Sequence, residues 1–297
     1  MTTIEVRSSF DQMQALAMRL ITGAECLAAL IARLELDAAG EAGDPAITAQ
    51  LDRVVELMGA ADLRIDLGER ERATVIGHAT TMLRQAIDLI DDPLRSGGWY
   101  YTDPQILQGQ GASSVVIAQL IAGAGFGGEG VRILDIGTGV GALAVAFCRT
   151  FKNSRVVGLD TWELSLELAR QNVAAAGLGS RITLQAAAID GFDDEDGFDL
   201  VWMPVIFLSR AILEDAVAHA TSAMRPGAQI VLGRYVGPED PIAGALGDLR
   251  TIRSGGTLLD GSETRALLEG AGLVDVREVD RTWPAPVALT AGRRPEI

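Results

Sequence analysis

A glycine-rich turn between an apolar strand and a helix constrains the fold more than any other stretch of this sequence. Residues 132–144 read RILDIGTGVGALA, so the predicted strand Arg132–Ile136 runs directly into Gly137, Gly139 and Gly141. Glycines allow a tight turn and let a ligand approach the peptide N–H groups closely. The pattern G-x-G-x-G becomes G-x-G-x-x-A when Ala142 is included, so the turn indicates nucleotide binding without identifying the nucleotide.

The sequence around this turn alternates short apolar runs with amphipathic segments. Helices are predicted at Glu163–Ala176 and Arg210–Met224, and alternation of this kind indicates a parallel sheet with helices on both faces. Only residues 280–285 separate the last two strands, which predicts an antiparallel pair at the sheet edge. The predicted strands are Arg132–Ile136, Arg155–Leu159, Ile182–Gln185, Asp199–Met203, Gln229–Gly233, Val274–Val279 and Val287–Ala291.

The chain before the turn has helical periodicity from residue 10 to about residue 92. Asp44-Pro45 is a typical cap and first-turn pair for a second helix, and a third is predicted over 69–90. We expect a helical domain over 1–95, a connector and first helix over 96–130 with the helix at Ser113–Ala124, and a catalytic domain over 131–297. The apolar stripes of the N-terminal helices suggest a homodimer interface, and a cap over the substrate is the alternative.

Composition restricts the functional classes. The 297 residues carry a net charge of −15 and no basic stripe, so nucleic acid is not an expected partner. Two cysteines, Cys26 and Cys148, are too few for a zinc cluster or a disulfide framework, and Cys148 is expected to be buried. We find no signal peptide and no apolar run near ~18 residues, and therefore expect a cytoplasmic protein that does not bind membranes.

Two carboxylates help to decide which nucleotide the turn binds. Asp135 lies two residues before Gly137, where it can reach a cationic amino group, which S-adenosylmethionine has and a nicotinamide dinucleotide lacks there. Asp160 ends the second predicted strand, where a carboxylate accepts hydrogen bonds from ribose hydroxyls in either class. The antiparallel final pair and the long segment before the turn also disfavour a dehydrogenase.

The sequence resembles the class I S-adenosylmethionine-dependent methyltransferases over about residues 100–292. The resemblance rests on ILDIGTGVGALA, VVGLDTWELSLELARQNVAAAGL, QAAAIDGF, FDLVWMP and MRPGAQIVLG in this order. It implies an α/β fold with a Rossmann-like seven-stranded sheet and an antiparallel last strand, preceded by an all-helical N-terminal domain. It also implies S-adenosylmethionine as the cofactor. The cofactor-binding residues that it implies are Asp135, Gly137, Thr138, Gly139, Gly141, Asp160, Thr161, Trp162, Ala188, Ile189, Asp190, Met203 and Pro204.

The resemblance implies transfer of a methyl group to oxygen, nitrogen or carbon of a small molecule. We expect a metal-independent, in-line displacement in which proximity and a dry pocket supply much of the rate. One alternative keeps the cofactor but performs a rearrangement or decarboxylation. Further alternatives are a nicotinamide-dependent dehydrogenase and a non-catalytic partner protein.

Candidate catalytic and substrate-binding residues come from several segments. Possible acid–base residues are His219, Tyr101 and His78, although the setting of each histidine is also typical of packed structural residues. The long, glycine-rich segment Val236–Leu258 is expected to form a lid. The candidate substrate-binding residues are Trp99, Tyr100, Tyr101, Gln110, Phe207, Arg234 and Tyr235.

Overall fold

The computed structural model describes residues 8–237 and 239–296, except for the side chain of Arg70. The chain forms two compact units, Met1–Asp91 and Asp92–Ile297. We describe each unit by itself.

The first unit is helical. Its helices are α1 (Ser9–Ala39), α2 (Pro45–Leu57), α3 (Ala61–Asp66) and α4 (Glu69–Asp91). The expected start of α2 is confirmed, because the Asp44 carboxylate accepts hydrogen bonds from the N–H groups of Ala46 and Ile47. The short helix α3 was not predicted from the sequence.

Helix α1 is covered along only part of its length. Its carboxyl-terminal half packs on α2 and α4, and there Ile31 and Leu34 are buried. In its amino-terminal half, Phe10, Met13 and Leu20 are each at least 66% exposed. An apolar helix face of this kind is exposed at a cost unless another surface covers it.

The second unit contains the seven-stranded sheet that the sequence predicts. Its strand order is β3-β2-β1-β4-β5-β7-β6, and only β7 runs antiparallel to its neighbours. The order reverses between β1 and β4, and ligands of such sheets bind at this switch point, outside the carboxyl ends of the strands. The strands are β1 (Arg132–Ile136), β2 (Arg155–Asp160), β3 (Ile182–Ala186), β4 (Phe198–Pro204), β5 (Met224–Tyr235), β6 (Val274–Glu278) and β7 (Val287–Arg293).

Helices cover both faces of this sheet. They are α5 (Pro104–Ser114), α6 (Val116–Gly123), α7 (Ala142–Thr150), α8 (Glu163–Ala175), α9 (Arg210–Ser222), α10 (Pro241–Arg253) and α11 (Gly261–Gly270). Alternate residues of one strand enter different cores, since Leu200 and Trp202 lie in one apolar cluster and Val201 and Met203 in the other. Cys148 is buried among these side chains, as expected.

The predicted single helix Ser113–Ala124 is wrong at its start. Helix α5 already begins at Pro104, because Asp103 accepts a hydrogen bond from the Gln105 N–H and proline occupies the first turn. Helix α10 begins in the same way, at Asp240 and Pro241. The segment expected to be a glycine-rich lid therefore contains 13 residues of regular helix.

By length and composition, two helical segments could cross a membrane. They are Ser9–Ala39 and Pro104–Gly123, so the prediction that no segment approaches this length is wrong. A core helix or a signal sequence passes the same test, which makes two such segments weak support for a membrane protein.

Candidate active site

The turn after β1 has the backbone conformation that its glycines predict. Gly137, Gly139 and Gly141 have φ angles of 69°, 55° and 72°, which L side chains rarely adopt. A Cβ on Gly139 would meet no atom within 4 Å, so open space adjoins its backbone. A Cβ on Gly141 would lie 3.2 Å from the Cβ of Ala169 in α8. Gly139 thus leaves room for a ligand, and Gly141 allows close packing of the turn on α8.

Asp135 is a buried carboxylate with one unpartnered oxygen. Its Oδ2 accepts a hydrogen bond of 2.6 Å from the Thr138 hydroxyl, whereas its Oδ1 has no partner among the described residues. Burial raises the pKa of Asp135 to about 7, the Thr138 bond opposes this increase, and the charge of Asp160 adds to it. A cationic amino group beside Oδ1 would satisfy the oxygen and stabilise the charge.

Asp160, at the end of β2, connects the glycine turn to the next helix. Its Oδ2 accepts a 2.7 Å hydrogen bond from the Gly139 N–H, and its Oδ1 accepts one of 2.8 Å from the Trp162 N–H. Burial raises the pKa of Asp160, although these N–H groups and that of Thr161 oppose the shift. Asp135 and Asp160 together make the carboxyl edge of the sheet attractive to a cation.

The residues expected around an adenine ring lie on two neighbouring segments. Trp162 is half-buried at the start of α8. The 3₁₀ turn Ile189–Gly191 follows β3, with Ile189 buried and Asp190 exposed. Ala188, just before this turn, is exposed, as is Thr161. At the end of β4, Met203 and Pro204 are buried.

Three of the candidate substrate-binding aromatics meet in the structure. The Trp99 ring packs edge-on against Tyr101 and against Phe207, with both centroid separations at 5.1 Å. Phe207 belongs to the 3₁₀ turn directly after β4, so these rings lie near the carboxyl edge of the sheet. We call Trp99, Tyr101 and Phe207 the aromatic wall. Tyr101 is buried, and its carbonyl accepts a 3.0 Å hydrogen bond from Trp162 Nε1.

The end of α10 fixes the connector and the segment after β4. The Gly98 N–H donates to the Arg253 carbonyl at 2.9 Å, and Thr257 Oγ1 donates to the Leu208 carbonyl at 2.9 Å. A Cβ on Gly256 would lie 1.8 Å from the Ile206 carbonyl oxygen, so glycine is required at this contact. These contacts join three segments that are far apart in the sequence.

An amide pair that sequence analysis missed supports the glycine turn. Asn172 Nδ2 donates to the Val140 carbonyl at 2.8 Å and to Gln108 Oε1 at 3.0 Å. Gln108 Nε2 in turn donates to Asn172 Oδ1 at 3.3 Å. Gln108 and Asn172 are 64 positions apart in the chain. Asn172 lies in the segment VVGLDTWELSLELARQNVAAAGL that carries the resemblance, but no role was predicted for it.

The structure places His219 away from the other candidates, and we do not retain the catalytic role expected for it. Helix α9 begins after the carboxyl end of β4 and ends before the amino end of β5, so a residue in its last turn lies toward the opposite edge of the sheet. His219 is exposed there, with Nδ1 2.7 Å from the Asp215 carbonyl oxygen. His78 is exposed on α4 of the helical unit.

The remaining substrate candidates have varied environments. Arg234 pairs with Glu278 of β6, and the ring of Tyr235 packs so closely on α10 that a Cβ on Gly247 would lie 2.0 Å from it. Both contacts are structural, and they weaken the expectation that these residues bind substrate. Tyr100 is 52% exposed, with the Arg95 guanidinium 5.7 Å from its ring centroid, and Gln110 is half-buried on α5.

Comparisons with known proteins agree with this geometry. The family model described as "Methyltransferase domain" matches residues 133–227. A release factor glutamine methyltransferase from Rhodopirellula baltica is 34% identical over 80 residues, which are 27% of this chain and 27% of that protein. This chain thus spans about a quarter of the length of that curated relative.

Solved structures match nearly the whole fold at low sequence identity. A putative O-methyltransferase from Nostoc punctiforme superposes with a TM-score of 0.68 at 16% identity, covering 98% of this chain and 100% of that one. Human N-acetylserotonin methyltransferase in complex with SAM gives a TM-score of 0.65 at 16% identity, with the same coverage. At this identity the structures establish a shared fold and do not identify the substrate.

Proposed function

We propose that this chain, which its methyltransferase domain and its fold identify as a class I S-adenosylmethionine-dependent methyltransferase, transfers a methyl group to a small molecule. One observation carries the proposal: Asp135 Oδ1 is buried and unpartnered directly beside the glycine turn. A buried carboxylate oxygen without a partner is costly unless a ligand satisfies it. The amino group of S-adenosylmethionine is a ligand that fits this oxygen.

The chain's own residues divide into three groups around this cofactor. Asp135 and the glycine turn would hold the methionine end, and Asp160 would accept hydrogen bonds from the ribose. The adenine side would be formed by Trp162 and the segment from Ala188 to Asp190. Met203 and Pro204 would border the reacting methyl group. The other residues expected to contact the cofactor are Thr138, Gly141, Thr161 and Ile189.

Methyl transfer requires of the protein mainly that it align the acceptor with the methyl group and exclude water from the site. Bound S-adenosylmethionine supplies an electrophilic methyl group on a sulfonium. The aromatic wall offers apolar surface that can orient an acceptor and exclude water near the carboxyl edge of the sheet. The wall carries one titratable side chain, Tyr101, whose hydroxyl lies 3.4 Å from an Arg95 amino group.

We propose a flat aromatic acceptor that is methylated on oxygen. The proposal rests on the wall, because edge-on aromatic packing and apolar surface suit a planar ring. The names of two matching structures, an O-methyltransferase and N-acetylserotonin methyltransferase, support the same class. An acceptor whose oxygen is readily deprotonated in solution needs no general base from the protein.

Calorimetric titration with S-adenosylhomocysteine tests the cofactor assignment. We expect micromolar binding to the wild-type protein, more than tenfold weaker binding to Asp160→Ala, and no binding of NADH. Binding of NADH in place of S-adenosylhomocysteine would favour the alternative that the protein is a nicotinamide-dependent dehydrogenase.

Incubation with S-adenosylmethionine and a panel of phenols then tests the reaction. We expect one product heavier than its substrate by one methyl group, together with S-adenosylhomocysteine. A product of unchanged or lower mass, formed without S-adenosylhomocysteine, would instead indicate a rearrangement or decarboxylation by the same fold.

We further propose that the helical unit pairs with a second copy of the chain. Six large apolar residues in the first half of α1 are at least 41% exposed, namely Phe10, Met13, Leu16, Met18, Leu20 and Ile21. They offer roughly 600 Å² per copy, which approaches the ~800 Å² per partner of a stable interface. Ile47 and Leu57 of α2 and Leu63 and Ile65 of α3 are also exposed. Light scattering at micromolar concentration should give twice the mass of one chain. A monomer, or a monomer that binds lipid vesicles, would contradict this proposal.

We also propose a cytoplasmic location. The two cysteines are both free thiols, which agrees with a reducing compartment. Cell fractionation should place the protein in the soluble fraction, and recovery with membranes would contradict the proposal.

A further inference from the structure

A closed series of contacts that includes Trp162 links the glycine turn to the aromatic wall. Its backbone N–H donates to Asp160 Oδ1, and its indole Nε1 donates to the Tyr101 carbonyl at 3.0 Å. Tyr101 contacts Trp99, and Trp99 contacts Phe207. Pro204, three residues before Phe207, lies within 3.6 Å of the position of a Cβ on Gly137, which closes the series.

We propose that Trp162 is a positioning residue through which cofactor binding orders the aromatic wall that receives the acceptor. This inference rests on the proposed function. It assigns to Trp162 a role beyond contact with adenine, because the indole N–H points to the connector that carries the wall.

The cofactor side of the link lies in the Asp160 carboxylate. Its Oδ2 accepts the Gly139 N–H and its Oδ1 accepts the Trp162 N–H, and the carboxylate, which also interacts with the Thr161 N–H, has capacity for a further donor. Ribose hydroxyls that bind this carboxylate would therefore act on a group already attached to both the turn and Trp162. Cofactor binding thereby restrains the start of α8, where Trp162 is the N-cap residue.

The wall side of the link lies in the backbone of Tyr101. The indole of Trp162 packs in one apolar cluster with Trp99, Tyr101 and Val140 of the glycine turn. A restrained indole holds the Tyr101 carbonyl at a fixed position, and the ring contacts carry this restraint to Trp99 and Phe207. The wall should consequently be more ordered with cofactor than without it.

The expected consequence is an order of binding. An acceptor meets a formed wall only after the cofactor site is filled, so the cofactor should bind first. Because coupling between two sites is reciprocal, an acceptor should also tighten cofactor binding by the same factor.

Hydrogen–deuterium exchange followed by mass spectrometry tests the coupling without any acceptor. The probe is S-adenosylhomocysteine, and the peptides of interest cover residues 97–107 and 205–210. In the wild-type protein, saturating probe should slow exchange in these peptides by about fivefold. Trp162→Phe keeps an aromatic face and loses the donor. At probe concentrations that saturate this variant by its own measured Kd, the slowing at 97–107 should disappear.

A second tryptophan provides a matched control. Trp283 Nε1 donates to the Val287 carbonyl at 2.9 Å, the same type of bond at a place outside the series. Trp283→Phe should retain both probe binding and the slowed exchange at 97–107. Trp162→Leu loses the face and the donor, and should lose more than tenfold in probe affinity as well as the slowing.

The outcomes separate this inference from the proposed function. If the wild-type protein does not bind the probe, the proposed function is overturned and this inference with it. If the probe binds but exchange at 97–107 is unchanged, the inference is wrong and the proposed function stands. Retention of the slowing in Trp162→Phe would also overturn the inference. If Trp162→Phe does not fold, unchanged exchange at 97–107 in the wild-type protein still overturns the inference.

Discussion

Replacing Asp135 with asparagine should make the protein more stable and a poorer binder of its cofactor. The change keeps the size of the side chain and an oxygen that can accept the Thr138 hydrogen bond, and it removes the buried charge. Burial raises the pKa of Asp135 from 3.8 to about 7. That increase corresponds to about 4 kcal/mol of stability lost between these two pH values.

The sign follows from proton linkage. The unfolded chain releases the Asp135 proton near pH 3.8, whereas the folded protein retains it until about pH 7. The free energy of unfolding of the wild-type protein therefore falls as pH rises over this interval and levels off above it. The unpaired amide of the asparagine costs about 2 kcal/mol, so Asp135→Asn should gain about 2 kcal/mol at pH 8. For a unit of this size the gain corresponds to a rise of about 5 °C in Tm.

Thermal unfolding and calorimetry between pH 5 and pH 8.5 measure both effects. The Tm difference between Asp135→Asn and wild type should grow as pH rises toward 7 and then stay constant. Wild-type affinity for S-adenosylhomocysteine should increase about tenfold per pH unit below pH 7, and the affinity of the variant should be low and independent of pH. Asp193→Asn removes an exposed carboxylate and controls for net charge.

Two results would refute this reasoning. One is a variant that is less stable than wild type at pH 8, since burial of the charge would then not be the dominant cost. The other is equal cofactor affinity in the two proteins at pH 8, which would remove the cationic amino group as the partner of Oδ1.

Three further predictions concern other parts of the molecule. Gly139→Ala forces a side chain onto a φ of 55°, so we expect a loss of about 1–2 kcal/mol in stability by denaturant titration and more than tenfold weaker S-adenosylhomocysteine binding; an unchanged affinity would exclude this turn from the site. Asn172→Ala removes the donor to the Val140 carbonyl and should weaken the same binding by about fivefold in calorimetry, whereas Gln171→Ala, an exposed neighbour, should not. Leu20→Asp places a charge on the exposed face of α1 and should convert the proposed dimer to monomers in light scattering, while Arg19→Asp, from the neighbouring position, serves as the comparison.

Local patterns predicted the backbone on which the proposed cofactor site is built, and they predicted little of the packing in the proposed acceptor surface. The strand Arg132–Ile136 has the predicted ends because an apolar run meets glycines that require positive φ. Asp-Pro marks the starts of α2, α5 and α10, yet only the first of these helices was predicted, because glycines and aromatics nearby resembled a loop. A helix cap is a local signal, and giving it more weight than composition would have found all three.

The contacts that no local pattern could predict are those between distant segments. Trp99 meets Phe207, Gly256 meets Ile206, and Gln108 meets Asn172, and each pair depends on the whole sheet to bring its members together. Glycine at position 256 is informative only once the Ile206 carbonyl is seen beside it. The sequence alone allows a catalytic role for His219, and only the direction of α9 shows that this residue lies toward the opposite edge of the sheet.

This division has a consequence for acceptor specificity. The proposed contacts to the methionine end and the ribose come from the turn after β1 and the end of β2, which both lie within residues 135–160. The aromatic wall draws on the connector and on the turn after β4, and the end of α10 fixes both. A single substitution in the wall therefore changes the acceptor surface while leaving Asp135 and Asp160 in place. Trp99→Leu should alter which phenols are methylated and keep S-adenosylhomocysteine affinity within about twofold, provided that Trp162 still holds the Tyr101 carbonyl.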